Sequence, residues 1–121
     1  MVIFQKAQKE LINMEKSIGN KINCSVFISG MGTNLNCIIK NSKKKFFPIK
    51  VCLVISNKSN APGLNYARKN NIPIKVFNSS NMRSFEEKTL KELKKKNIKF
   101  ICLAGFMKIF SKKFIKKFGY K

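Results

Sequence analysis

An α/β fold, with a parallel sheet covered by helices on both faces, is what the sequence predicts, and three observations predict it. From residue 22 onward, short apolar runs of strand length alternate with segments whose apolar residues recur at helical spacing. The second run, Ile49–Ser56 (IKVCLVIS), is nearly continuous in apolar residues, as a strand buried on both faces must be. The first run ends abruptly in Gly30-Met31-Gly32, turn residues placed where a strand hands over to a helix. The resulting βαβαβαβα order implies parallel strands joined by right-handed crossovers.

The elements follow in order. Residues 22–29 form the first strand. Thr33-Asn34 opens a helix that carries Leu35, Ile38 and Ile39 and fades by Lys45. After the second strand and the loop at 57–60, Pro62 suits the first turn of a helix bearing Leu64 and Ala67, which ends near Asn70-Asn71. Residues 73–77 make a short third strand, expected near an edge because Pro73 cannot donate to a ladder. Beyond a polar loop that includes Arg83, Ser84 is expected to N-cap a helix, with Glu87 completing a capping box. Phe85, Thr89, Leu90 and Leu93 form the inner face of that helix, and Asn97 ends it. Residues 99–104 are the fourth strand, 105–109 a loop, and a short helix runs from Ser111 to Phe118-Gly119. Residues 1–20 are expected to be an N-terminal helical extension or a loose one, with Phe4, Ala7, Leu11, Ile12 and Met14 roughly on one side, and residues 21–121 the domain proper. A doubly wound sheet normally continues beyond its fourth strand. The fold is therefore expected to be truncated after the fourth βα unit, with an open strand edge and marginal stability.

Composition narrows the chemistry. The chain has 121 residues, enough for one core, and 44% of them are hydrophobic. Lys and Arg number 26 against 5 acidic residues, a net charge of +21. There is no His and no Asp, so no Ser-His-Asp or Cys-His arrangement, His-containing zinc site or Asp-based magnesium site can be built from this chain. The carboxylates are Glu10, Glu15, Glu86, Glu87 and Glu92, all in helix-like contexts expected to face solvent. Such a charge raises the expectation of polyanion binding. However, Lys, Asn and Ile are all abundant and share A/T-rich codons, which accounts for scattered lysines without a partner. Nucleic acid is not the expected partner. Cys24, Cys37, Cys52 and Cys102 form no CxxC pair, and three of them sit in or beside apolar runs as small buried hydrophobes. Reduced thiols, no secretory signal and no run of about 20 apolar residues lead to the expectation of a cytoplasmic protein off the membrane.

Three places could carry chemistry. In Ser29-Gly30-Met31-Gly32-Thr33-Asn34, the glycines allow close approach of backbone to ligand, and the following helix N-terminus suits a phosphate. The same turn could equally be a plain strand-to-helix connection. A dinucleotide site is not supported, because Leu35 stands at the third glycine position and no acidic residue ends the second strand. The segment 103–109 (LAGFMKI) could wall a flat aromatic ligand, or Phe106, Met107 and Ile109 could simply seal the core. Arg83, one of two arginines in a lysine-rich chain, could recognise a carboxylate or phosphate in bidentate fashion, or be ordinary surface.

Taken together, ISGMGTNL at 28–35, VISNK at 54–58 and LAGFMKI at 103–109 resemble the glycinamide ribonucleotide formyltransferase family, over residue 22 to the end. The resemblance implies a Rossmann-like formyltransferase fold and transfer of a formyl group from 10-formyltetrahydrofolate to glycinamide ribonucleotide in purine biosynthesis, without a metal. It implies that Gly32, Thr33 and Asn34 hold the ribonucleotide phosphate, that Arg83 contacts the folate, and that Met107, Lys108, Ile109 and Phe110 line the pterin pocket. Lys108 and Phe110 stand where the family commonly has Arg and Leu, and Met31 where it often has Asn. The family's catalytic Asn and His lie in an Asn-Ile-His-Pro stretch on the next strand, and its catalytic Asp further on. The sequence stops just before that stretch, so the 121 residues alone are expected to be an inactive fragment. Two other readings stand beside this one: a truncated, non-enzymatic binder of polyanions, and a relative of formyltetrahydrofolate deformylase.

Overall fold

The computed structural model describes residues 2–5, 21–78 and 80–119. Five strands, β1 (Val2–Gln5), β2 (Ile22–Ile28), β3 (Ile49–Ser56), β4 (Ile74–Val76) and β5 (Phe100–Leu103), form one sheet in the order β1-β5-β2-β3-β4. β2 to β5 are parallel, and β1 lies antiparallel against β5. Helices α1 (Thr33–Ser42), α2 (Leu64–Lys69), α3 (Met82–Lys95) and α4 (Lys112–Phe118) follow β2, β3, β4 and β5 in turn.

Side-chain alternation along β2 sorts the core into two layers. Cys24, Val26 and Ile28 point to one face, where Leu35 and Ile39 of α1 and Leu64 and Ala67 of α2 cover them. Phe27 points to the other, beneath Phe85 and Leu93 of α3 and Phe114 and Phe118 of α4. The sheet is thus covered on both faces, and β3 has the bounds its apolar run predicts.

Three expectations need correction. Residues 2–5 form a strand instead of the start of a helix, while 6–20 lie outside the described residues. Val2, Ile3 and Phe4 are strand formers, and β5 offers them an unpaired ladder. That pairing, Val2↔Leu103 through Gln5↔Phe100, covers the edge expected to stay open. Second, α3 begins at Met82, not at Ser84. Asn81 is its N-cap, accepting the Ser84 N–H at 3.2 Å, so Ser84 and Arg83 lie within the first turn. Glu87 does not close a capping box; it lies 3.6 Å from Arg83 Nε on an exposed helix face. Third, not every carboxylate faces solvent. The Glu92 side chain is only 17% exposed, with Lys75 Nζ 3.9 Å away, and Glu86 holds the cap of α4 as described below.

The cysteines divide by burial. Cys24 and Cys102 are buried, Cys52 is half-buried and Cys37 is exposed. Burial, with Cys102 and Cys52 nearby, pushes the Cys24 thiol well above its usual range, and burial pushes Cys102 up to about 11. The unfolded chain releases this proton near 9.0 while the folded chain still holds it. Protons bound only in the folded state make stability fall as pH rises. Urea midpoints are therefore expected to be level below pH 9 on this account and to fall between pH 9 and 11, with Cys102→Ala flattening the decline. A midpoint that holds through that window in the parent chain would contradict the assignment.

Candidate functional site

The carboxyl ends of β2, β3 and β5 lie at one edge of the sheet. There the strand order reverses between β2 and β5, and their following helices leave to opposite faces. A crevice at such a reversal is where open α/β sheets take their ligands.

Three loops meet at this edge on one hydroxyl. Ser29, directly after β2, is buried, and its Oγ–H donates to Asn57 Oδ1 at 2.6 Å. The same oxygen accepts the Met107 N–H at 2.9 Å. Ser29 thereby ties the β2–α1 turn to the loop after β3 and to the segment after β5.

Gly32 is the N-cap of α1, with φ 74 and no side-chain cap. Among the described residues the amides of the first turn of α1 have no side-chain acceptor, and the positive end of the helix dipole lies among them. Thr33 and Asn34, the first helical residues, are exposed beside them. Close packing of backbone on backbone sets the position of the turn. A Cβ on Gly32 would lie 2.5 Å from Gly63 Cα, and the Gly63 N–H donates to the Gly30 carbonyl at 2.9 Å. Gly63 escaped the sequence reading; the only local hint was its place after Pro62. Gly30, by contrast, has open space where its Cβ would be.

A second region lies between α3 and the start of α4. A groove of about 600 Å³ is lined by Arg83, Glu86, Leu90, Ile109, Phe110 and Lys113, among others. Of the residues tied to a folate by resemblance, Arg83, Ile109 and Phe110 come together here, while Met107 and Lys108 are exposed and do not line the groove. The choice between ligand wall and core seal for segment 103–109 divides by residue. Phe106 is half-buried against Phe27 and Phe85, whereas Met107 and Ile109 are 73% and 91% exposed. Phe110 is buried and stacks on Phe114, with ring centroids 4.1 Å apart. Glu86 fixes the far end of the segment, accepting the Ser111 N–H and O–H, each at 2.7 Å. Segment 104–110 is thus anchored by Ser29 at the sheet edge and, through the adjoining Ser111, by Glu86 at the groove.

The sequence and the fold are similar to those of known proteins. The formyl transferase family profile matches residues 22–121. The phosphoribosylglycinamide formyltransferase of Haemophilus influenzae is 40% identical over 100 residues, which is 80% of this chain and 47% of that protein. The trifunctional purine biosynthetic protein adenosine-3 of Gallus gallus is 39% identical over 101 residues, 81% of this chain and 10% of its own length. The crystal structure of phosphoribosylglycinamide formyltransferase from Brucella melitensis superposes with a TM-score of 0.75 at 32% identity, over 82% of this chain and 53% of that one. The chain thus spans about half of these single-function relatives. With the profile running from β2 through α4, the chain belongs to the formyl transferase family.

Proposed function

We propose that residues 21–121 are the part of a phosphoribosylglycinamide formyltransferase that holds the phosphate of glycinamide ribonucleotide and one wall of the folate site. In the reaction, the amine nitrogen of glycinamide ribonucleotide attacks the formyl carbon of 10-formyltetrahydrofolate. The bond from that carbon to the folate nitrogen then breaks, the attacking amine giving up one proton and the leaving folate nitrogen taking one. The observation that carries this reading is the uncapped α1 N-terminus opening on Gly32 at the sheet's reversal point, within a chain of this family. In this reading Gly32, Thr33 and Asn34 present amides to the phosphate. Arg83 meets a carboxylate of the folate, and Met107, Lys108, Ile109 and Phe110 supply apolar contact and backbone groups to the pterin.

The chemistry also calls for a group to take the amine proton and a donor for the formyl oxygen as charge develops there. This chain offers no His and no Asp for either task. Purified residues 1–121 are therefore expected to bind glycinamide ribonucleotide and folic acid without formylating the amine. Measurable formyl transfer by this polypeptide would overturn that half of the reading. Arg83→Ala is expected to weaken folic acid binding about 10-fold, the loss of roughly one charge-assisted contact. The urea midpoint should not move, because the ion pair that Arg83 makes among the described residues is an exposed one with Glu87. Steep salt-dependent RNA binding without affinity for either small ligand would favour the polyanion binder instead. Hydrolysis of the formyl-folate without an acceptor amine would favour the deformylase. A cytoplasmic location belongs to the same proposal; among the described residues no helix is long and apolar enough to cross a membrane.

A further inference from the structure

We propose that Ser29 is a positioning residue that couples the phosphate loop to the folate segment, so that each ligand tightens the binding of the other. The inference rests on the functional reading above. Ser29 carries one hydroxyl proton, and the 2.6 Å bond to Asn57 Oδ1 uses it. The remaining lone pairs then face the Met107 N–H at 2.9 Å, so the direction of one bond sets the direction of the other. The residue is 5% exposed and therefore largely screened from solvent. Ser29 lies three residues before Gly32 and bonds the first residue of segment 107–110. Along this path the two regions are joined through a single side chain. A ligand that immobilises the turn at 29–32 immobilises the Met107 amide, and a ligand on 107–110 immobilises the turn. Linkage requires the effect to be equal in both directions.

The test is calorimetric titration of residues 1–121 with folic acid, alone and with saturating glycinamide ribonucleotide. For the parent chain the expected result is folic acid binding about 5-fold tighter in the presence of the ribonucleotide, the low end of ordinary coupling. In Ser29→Ala the ratio should fall to about 1, while each ligand alone still binds within about 3-fold of the parent. Ser29→Thr, which keeps the hydroxyl, should restore the coupling. A purely structural serine would lower both affinities and leave their ratio unchanged. If Ser29→Ala does not fold, Ser29→Cys supplies the same comparison, because a thiol is a weak donor and a weak acceptor. Independently of ligand, amide exchange at Met107 should be about 10-fold faster without the hydroxyl, corresponding to loss of one hydrogen bond. Binding of both ligands with coupling unchanged by these substitutions overturns the inference alone. Failure of the parent chain to bind either ligand overturns the functional reading and the inference with it.

Discussion

Gly63→Ala is expected to destabilise the chain by about 2 kcal/mol and to weaken binding of inorganic phosphate at least 10-fold, although Gly63 lies outside the loop assigned to the phosphate. Its φ of −60 and ψ of −21 are ordinary for alanine, so the backbone of residue 63 is not strained by the change. On the unfolded side, alanine restricts the chain and would stabilise the protein by roughly 0.4–1 kcal/mol. Contact decides the sign. The new Cβ would lie 2.7 Å from Gly32 Cα, 2.9 Å from Gly32 N and 2.8 Å from Ile28 Cδ1. The isoleucine methyl can swing aside, but the Gly32 backbone cannot move without carrying the first turn of α1 with it. Overpacking against backbone costs at the upper end of roughly 1–3 kcal/mol and outweighs the entropic gain. The displaced amides then lose their alignment on an anion. Gly30→Ala is the control: its Cβ meets nothing within 4 Å, so the variant should equal the parent in stability or exceed it by up to about 1 kcal/mol. Urea unfolding and phosphate titration of the two variants check this. Equal behaviour of the two would show that the Gly32–Gly63 contact does not set the loop.

The contrast between these glycines marks where sequence reading stops. Gly30 and Gly32 look alike along the chain; the fold distinguishes them, through the φ of 74 at Gly32 and a partner 31 residues beyond it. The same holds for Ser29, which reads as the last residue of a strand until Asn57 and Met107 are brought to it. What depends on local pattern was legible. β3 has the bounds its continuous apolar run predicts, and α4 starts after Ser111, whose Oγ accepts the Phe114 N–H, and ends at Gly119 with φ 97. The start of α3 was not: its cap is Asn81, not Ser84, and packing of Phe85 and Met82 into the core admits the longer helix. β1 was missed because a four-residue strand has too little periodicity to separate from a helix, and its pairing spans nearly the whole chain. The candidate site was legible as three motifs on a sheet edge. Its partition into the Gly32 turn at the sheet edge and a groove with Arg83, Ile109 and Phe110 was not.

Phe27→Ala should have the largest effect on stability of any single change considered, about 3–5 kcal/mol. Phe27 is fully buried at the centre of the sheet, and Phe106 and Phe110 meet its ring edge-on at centroid distances of 5.5 and 5.4 Å. Those rings stack on one another and on Phe85 and Phe114, so the cavity opens beneath the whole of segment 104–110. Relaxation into that cavity would draw Phe110 away from the groove, and folic acid affinity is expected to fall along with the urea midpoint. A domain of this size holds roughly 5–15 kcal/mol in total, so a large share of its stability depends on this ring. Phe46→Ala removes the same atoms from a side chain that is 91% exposed, and is expected to change stability by less than about 0.5 kcal/mol. The comparison separates burial from hydrophobicity. If the Phe46 variant lost as much as the Phe27 variant, the exposed phenylalanine would have to be packed in solution, and the two-layer core described above would be incomplete. If Phe27→Ala lost little, the aromatic cluster would not be what supports the segment after β5.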